Sequence, residues 1–140
     1  ASQDGMMESL RTHFGEETTP LLYEKVGGDF SRVTFSMFVD AAYAGDSGAA
    51  EILRNAQEIF ANAITFSIQL LDVQQIVFYG SMFENHDFFD SLLKMLVKNI
   101  DGNYKENFYK VVPSDMNLDL RAAPILIVSS FFGEGGYKNY

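Results

Sequence analysis

The 140 residues carry ten Lys or Arg against nineteen Asp or Glu, a formal charge of −9, and no basic run breaks that balance. Such a surface repels phosphate backbones, which argues against nucleic-acid contact by this chain. With 47% hydrophobic residues the length suits one core, and the lack of cysteine excludes disulfides and thiolate metal sites. No apolar run reaches the roughly 18 residues that span a bilayer, and the start lacks a signal-peptide pattern, so a cytoplasmic chain without membrane contact is expected.

Met6, Met7, Leu10 and Phe14 recur at helical spacing and predict a short helix over 5–14, ended by Gly15. Thr19 as N-cap and Pro20 in the first turn open a second, stopped by Gly27-Gly28. Thr34 caps a third over 35–44. Gly45 can take the left-handed conformation that ends it, and Asp46 is the N-cap of the central helix. Along that helix Ala49, Ile52, Leu53, Ala56, Ile59, Phe60, Ala63, Ile64, Ser67, Leu70 and Leu71 form one apolar side.

Gln74 to Tyr79 reads as a buried strand turning at Gly80-Ser81. A helix over 87–100 follows, with Phe88, Leu92, Leu93, Leu96, Val97 and Ile100 as its stripe and Asp101-Gly102-Asn103 as its stop. Phe108 to Val112 is the second strand, closed by Pro113, and strand, helix, strand is what a parallel crossover needs. A last helix is expected from Leu118 or Leu120 to Phe132, with Pro124 in its first turns or at its start. Residues 133–140 form a loose tail. Two strands are a poor platform for so many helices, so some apolar surface is expected to be uncovered or packed on another copy.

Few residues point to chemistry by themselves. His13 and His86, the only histidines, have no nucleophile and carboxylate at a recognisable spacing; His13 suits a helix C-terminus and His86 a surface. The pairs Asp4-Glu8, Glu16-Glu17, Asp87-Asp90 and Asp115-Asp119 read as solvated faces in so acidic a chain. Phe88-Phe89 and Phe131-Phe132 read as core or interface. Neither a G-x-x-x-x-G-K-[ST] loop nor a D-x-G-x-T segment is present.

The run Ala42-Tyr43-Ala44-Gly45-Asp46-Ser47-Gly48-Ala49, the long helix after it, and Ile76-Val77-Phe78-Tyr79-Gly80 carry a resemblance. They are similar to the A-x-x-G-D-x-x-A junction, long helix and I-V-I-G-G strand in the C-terminal part of the ROK family of repressors, uncharacterised reading frames and sugar kinases. The likeness covers about residues 1 to 132. It implies an α/β fold, the helix-rich C-terminal portion of an RNase H-like, actin-like lobe, with about five helices and two parallel strands. It also implies that residues 1–132 are the lobe of a larger protein whose three antiparallel strands lie upstream.

In that family a C-G-x-x-G-C-L-E segment holds zinc and sets its glutamate on a sugar hydroxyl. The matching residues are Ala1-Ser2-Gln3-Asp4-Gly5-Met6-Met7-Glu8, which keep Gly5 and Glu8 and replace both cysteines, by Ala1 and Met6. A thioether does not replace a thiolate on zinc, so the resemblance leaves Glu8 as a sugar ligand without the zinc site. Family kinases use a Gly-Gly pair beside adenosine; here Tyr79 stands at the first and Gly80 at the second. Gly80 and Ser81 are nucleotide-binding candidates, with ATP and Mg as cofactors, only if the protein is a kinase; otherwise no cofactor is expected. No catalytic residue is assigned, because the family's catalytic aspartate and E-x-G-H segment lie upstream. The favoured expectation is a non-enzymatic, sugar-sensing and dimerising C-terminal domain of a ROK-type transcriptional regulator, its operator read by a helix-turn-helix outside this chain. The alternatives are an ATP-dependent hexose kinase and a non-catalytic helical interaction domain.

Overall fold

Short helices wrapped around one long helix make up the first half of the chain, and a small parallel sheet leans on that helix from the second half. The computed structural model describes residues 3–71, 73, 75–100, 108–113 and 125–129. Helix α1 (Gln3–His13) buries Met6 and Leu10. Helix α2 (Pro20–Lys25) buries Leu22 and stops before Gly27 and Gly28. A 3-10 turn over Phe30–Arg32 leads to α3 (Phe35–Tyr43), where the Thr34 hydroxyl accepts from the Met37 N–H at 3.2 Å, as the cap reading requires.

Helix α4 (Ser47–Leu71) is 25 residues long, and its start fixes the first half of the chain. Asp46 is fully buried. Its Oδ1 accepts from the Ala49 N–H at 3.1 Å, the expected cap, while its Oδ2 accepts from the Leu22 N–H at 3.0 Å. Leu22 is the third residue of α2, whose N–H has no partner within its own helix. One carboxylate therefore caps two helices. This accounts for a departure from expectation at Thr19, whose side chain does not cap α2. Its buried hydroxyl instead donates to the Gly15 carbonyl and accepts from the Gly15 N–H, both at 3.1 Å, holding the turn before α2.

That turn lies directly on the first turn of α4. A Cβ at Gly48 would stand 2.1 Å from the Thr18 carbonyl oxygen, so the approach requires glycine there.

Strand β1 (Gln75–Tyr79) is followed by a four-residue helix, α5 (Ser81–Glu84), and by α6 (His86–Asn99), whose N-cap Asn85 accepts from the Phe88 N–H at 3.1 Å. Strands β2 (Tyr109–Val112) and β3 (Ile125–Ser129) flank β1 in the order β2-β1-β3, all parallel. The fold is thus α/β and helix-rich, as expected, with six helices and three parallel strands among the described residues. The third strand corrects the reading of a helix from Leu118 or Leu120 to Phe132. Three of the four residues Ile125-Leu126-Ile127-Val128, just after Pro124, are β-branched, and both flanks of β1 are paired once the segment lies there. Residues 114–124 and 130–140, with Asp115, Asp119, Phe131, Phe132 and the expected tail, lie outside the described residues.

Phe78 of β1 is the centre of the aromatic core, its ring 5.2 Å from Phe83 and 5.1 Å from Phe89. Phe83 in turn meets Phe60 of α4 at 6.2 Å and Phe88 at 6.4 Å. These edge-on and tilted contacts suit aromatic quadrupoles and join the sheet to α4 and α6. Phe88 and Phe89 are both buried, as the core reading requires, whereas Val97 of the expected stripe is exposed. The stripe on α4 is also corrected. Gln57, Ala61 and Ile68 are buried, while Ile59, Leu70 and Leu71 face solvent, because α3, α6 and the sheet all cover the same side. Among the described residues no helix is long and apolar enough to cross a membrane.

Two outcomes follow for stability. Asp46→Ala strands two buried N–H donors and should lower the urea unfolding free energy by about 2–4 kcal/mol, against about 1–2 for Asp46→Asn, which keeps one acceptor. Gly48→Ala should cost about 1–3 kcal/mol in the same titration, because the methyl meets backbone rather than a movable side chain.

Candidate functional site

Glu8 projects from α1 into solvent, its side chain 69% exposed, and its Oε2 lies 3.4 Å from the Arg11 Nε. An exposed pair of this kind contributes little to stability. What holds Arg11 is the Phe30 ring, whose centroid is 5.3 Å from the guanidinium carbon. Phe30 is fixed in turn by Phe14, at 5.3 Å, and by the Asp29 cap of the 3-10 turn. The Asp29 carboxylate accepts from the Ser31 hydroxyl at 2.6 Å and its N–H at 3.1 Å, and these bonds hold its carboxyl below the usual carboxylate range. A line of contacts thus runs from Asp29 through Phe30 and Arg11 to Glu8.

On the neighbouring face of α1 lies a cleft of about 540 Å³ against α4. Ser9, His13, Glu51 and Asn55 supply its polar wall and Met6 and Ile52 its apolar one. Glu8 does not line it. His13, the last residue of α1, has its Nδ1 2.8 Å from the Ser9 carbonyl oxygen and so belongs to the helix end expected for it. Met6, aligned with a zinc cysteine of the resemblance, is buried in the hydrophobic core beside Leu10. That side chain is neither a thiolate nor free to reach an ion, so the residues present do not fit the zinc site. Ala1 lies outside the described residues. Among the described residues no three His, Cys, Asp or Glu side chains are grouped to hold a metal ion.

Gly80 and Ser81 sit well away from Glu8 in the chain, at the C-terminal end of β1. There the register sets Tyr79 beside Val112 of β2 and Ser129 of β3, so all three strands end at one level. Open parallel sheets bind ligands outside such strand ends. Gly80 is buried and takes φ 129° and ψ 156°, a conformation essentially confined to glycine. Its carbonyl accepts from the Phe83 N–H at 3.1 Å, so what reads as a plain turn in sequence is the start of α5, with Ser81 exposed at its first position. Tyr79 is half-buried at the strand end.

One polar node is not legible in the residue pattern. Gln57, buried in the middle of α4, donates to the Phe88 carbonyl at 3.0 Å and to the Ser91 hydroxyl at 2.5 Å. The Tyr43 hydroxyl bonds to Ser91 and donates to the Asp87 carbonyl at 3.1 Å, so α3, α4 and the first turn of α6 share one network. A glutamine at an otherwise apolar helix position is the only sequence signal for it.

The ROK family model matches residues 19–120, which include the Asp46 junction, α4, β1 and the Gly80 turn. No curated protein and no solved structure matches the chain. Gly80→Ala should lower stability by about 1–3 kcal/mol through its positive φ, whereas Ser81→Ala should stay within about 0.5 kcal/mol; thermal melts of the two variants separate backbone strain from side-chain loss.

Proposed function

Because the chain belongs to the ROK family, we propose that it is the sugar-sensing and dimerising C-terminal domain of a ROK-type transcriptional regulator. The observation that carries this reading is the contrast within one helix. Glu8 is kept and faces solvent, while Met6, at a zinc-cysteine position, is packed into the core. A carboxylate can accept from two neighbouring sugar hydroxyls, and Arg11 lies beside it at 3.4 Å. On this reading the sugar lies between Glu8 and residues contributed from outside this chain. Its binding changes how the protein closes, and the acidic surface leaves operator contact to a separate DNA-reading domain. No metal or nucleotide is required, and the protein acts in the cytoplasm.

A second reading, an ATP-dependent hexose kinase, is favoured by one observation. Gly80 keeps the glycine-only backbone at the strand ends where a nucleotide would approach. Tyr79 in place of the first glycine weighs against it, because a ring there narrows that approach.

The test is a calorimetric titration of the intact protein with a panel of hexoses and N-acetylhexosamines. Glu8→Gln should weaken binding of the responding sugar about tenfold and leave the melting temperature unchanged, since the side chain is largely exposed. Equal affinity of the variant would remove Glu8 from the site. Asp29→Ala, which loosens the turn under Arg11, should weaken the same sugar by a smaller factor.

A further inference from the structure

The polar node between α3, α4 and α6 spends all its protons and leaves one acceptor over. The Phe88 carbonyl can only accept, so the nitrogen of the Gln57 amide is the atom that faces it, and that bond at 3.0 Å fixes which way the amide points. The amide's other bond goes to the Ser91 hydroxyl. The Ser91 proton is shared between the Phe88 carbonyl, at 3.3 Å, and the Tyr43 oxygen, while the Tyr43 proton goes to the Asp87 carbonyl. The Gln57 Oε1 receives no hydrogen bond among the described residues, although the residue is only 2% exposed. Nor is that oxygen sealed off from its surroundings. Gln57 lines a cavity of about 560 Å³ between the end of α3, the first half of α4 and α6, and the amide oxygen is the group it has left to offer there. An acceptor kept from water without a donor is costly, and a ligand that brings the donor recovers the loss.

The rim of the cavity carries one charge of each sign. Glu51 and Arg54 stand one turn apart on α4, and both line the cavity and are exposed. Side chains at this spacing are placed to pair, and Glu58 stands one turn further on, yet among the described residues Arg54 forms no ion pair. A carboxylate and a guanidinium held apart beside an unmet carbonyl are the complement of a zwitterion. An ammonium brings three donors, enough for Glu51 and the Gln57 Oε1, and a carboxylate next to it takes the Arg54 fork. A phosphate would be opposed by Glu51, and a neutral sugar would leave Arg54 unmatched. Buried Leu53 and half-buried Met95 supply the apolar wall, and a thioether adapts to side chains of different shape.

We infer that this cavity binds a free α-amino acid with an apolar side chain. Its ammonium lies on the Gln57 Oε1 and Glu51, its carboxylate on Arg54 and its side chain against Leu53 and Met95. The site goes beyond the proposed function, since it uses neither Glu8 nor the Gly80 turn.

Calorimetric titration of the intact protein with L-leucine, L-methionine and L-phenylalanine tests it. At least one of the three should bind saturably. The N-acetyl derivative of that amino acid, which lacks the ammonium, and its methyl ester, which lacks the carboxylate charge, should each bind about tenfold more weakly or worse. Gln57→Leu strips the Phe88 carbonyl of its donor and puts folding at risk, so the exposed rim residues carry the test. Arg54→Gln should weaken the free amino acid about tenfold and leave the affinity for its methyl ester unchanged, whereas Glu51→Gln should weaken both, with circular dichroism and melting temperature as in the wild type. Glu8→Gln should change none of these affinities, which separates failure here from failure of the sugar reading. The inference is overturned if none of the three amino acids binds, or if the N-acetyl derivative binds as well as its parent. It is equally overturned if Arg54→Gln leaves the free amino acid unaffected or weakens acid and ester alike.

Discussion

The first half of this structure depends on one buried carboxylate. Asp46 accepts the N–H of Ala49 in its own helix and the N–H of Leu22 from 24 residues earlier, so the start of α2 and the start of α4 are one joint. Removing both donors from water without Asp46 would leave two unmet hydrogen bonds in the interior. The same joint draws the turn at Thr18 onto Gly48, where no larger residue fits. Through α2 and that turn it sets where α1 lies on α4, and α1 carries Glu8. A buried capping residue thereby helps to orient the one proposed to bind the sugar.

Much of this is legible in the residues, for identifiable reasons. Gly45-Asp46 reads as stop and cap because few residue types suit a left-handed helix stop or an N-cap, and Thr34 reads as a cap for the same reason. The second acceptor role of Asp46 is not legible, since a contact across 24 residues leaves no local pattern. Gln57 escapes a reading of the sequence for a related reason: a polar residue in an apolar stripe looks like an interruption until its partners on α6 are known. The segment after Pro124 reads as helix because Ile125 to Val128 is short and continuously apolar, a run whose periodicity does not separate helix from buried strand. Its β-branched content and the open flank of β1 decide for the strand.

The candidate residues fall into two separate places, and each keeps only part of what the family resemblance asks for. At α1 the carboxylate is present, and Met6, aligned with a zinc cysteine of the resemblance, is buried in the core. At the end of β1 the glycine conformation is present and the adjoining residue is a tyrosine. Family membership covers both a regulator and a kinase, and the partial retention at each place favours a domain that recognises a sugar without transferring phosphate to it.

That distinction is open to one direct measurement: thermal melting of the intact protein across a sugar panel, with and without ATP and Mg. The account predicts that a particular sugar raises the melting temperature by mass action, that nucleotide adds no further shift, and that the sugar is recovered unphosphorylated. A nucleotide-dependent shift accompanied by sugar phosphate would contradict it and make the protein a kinase.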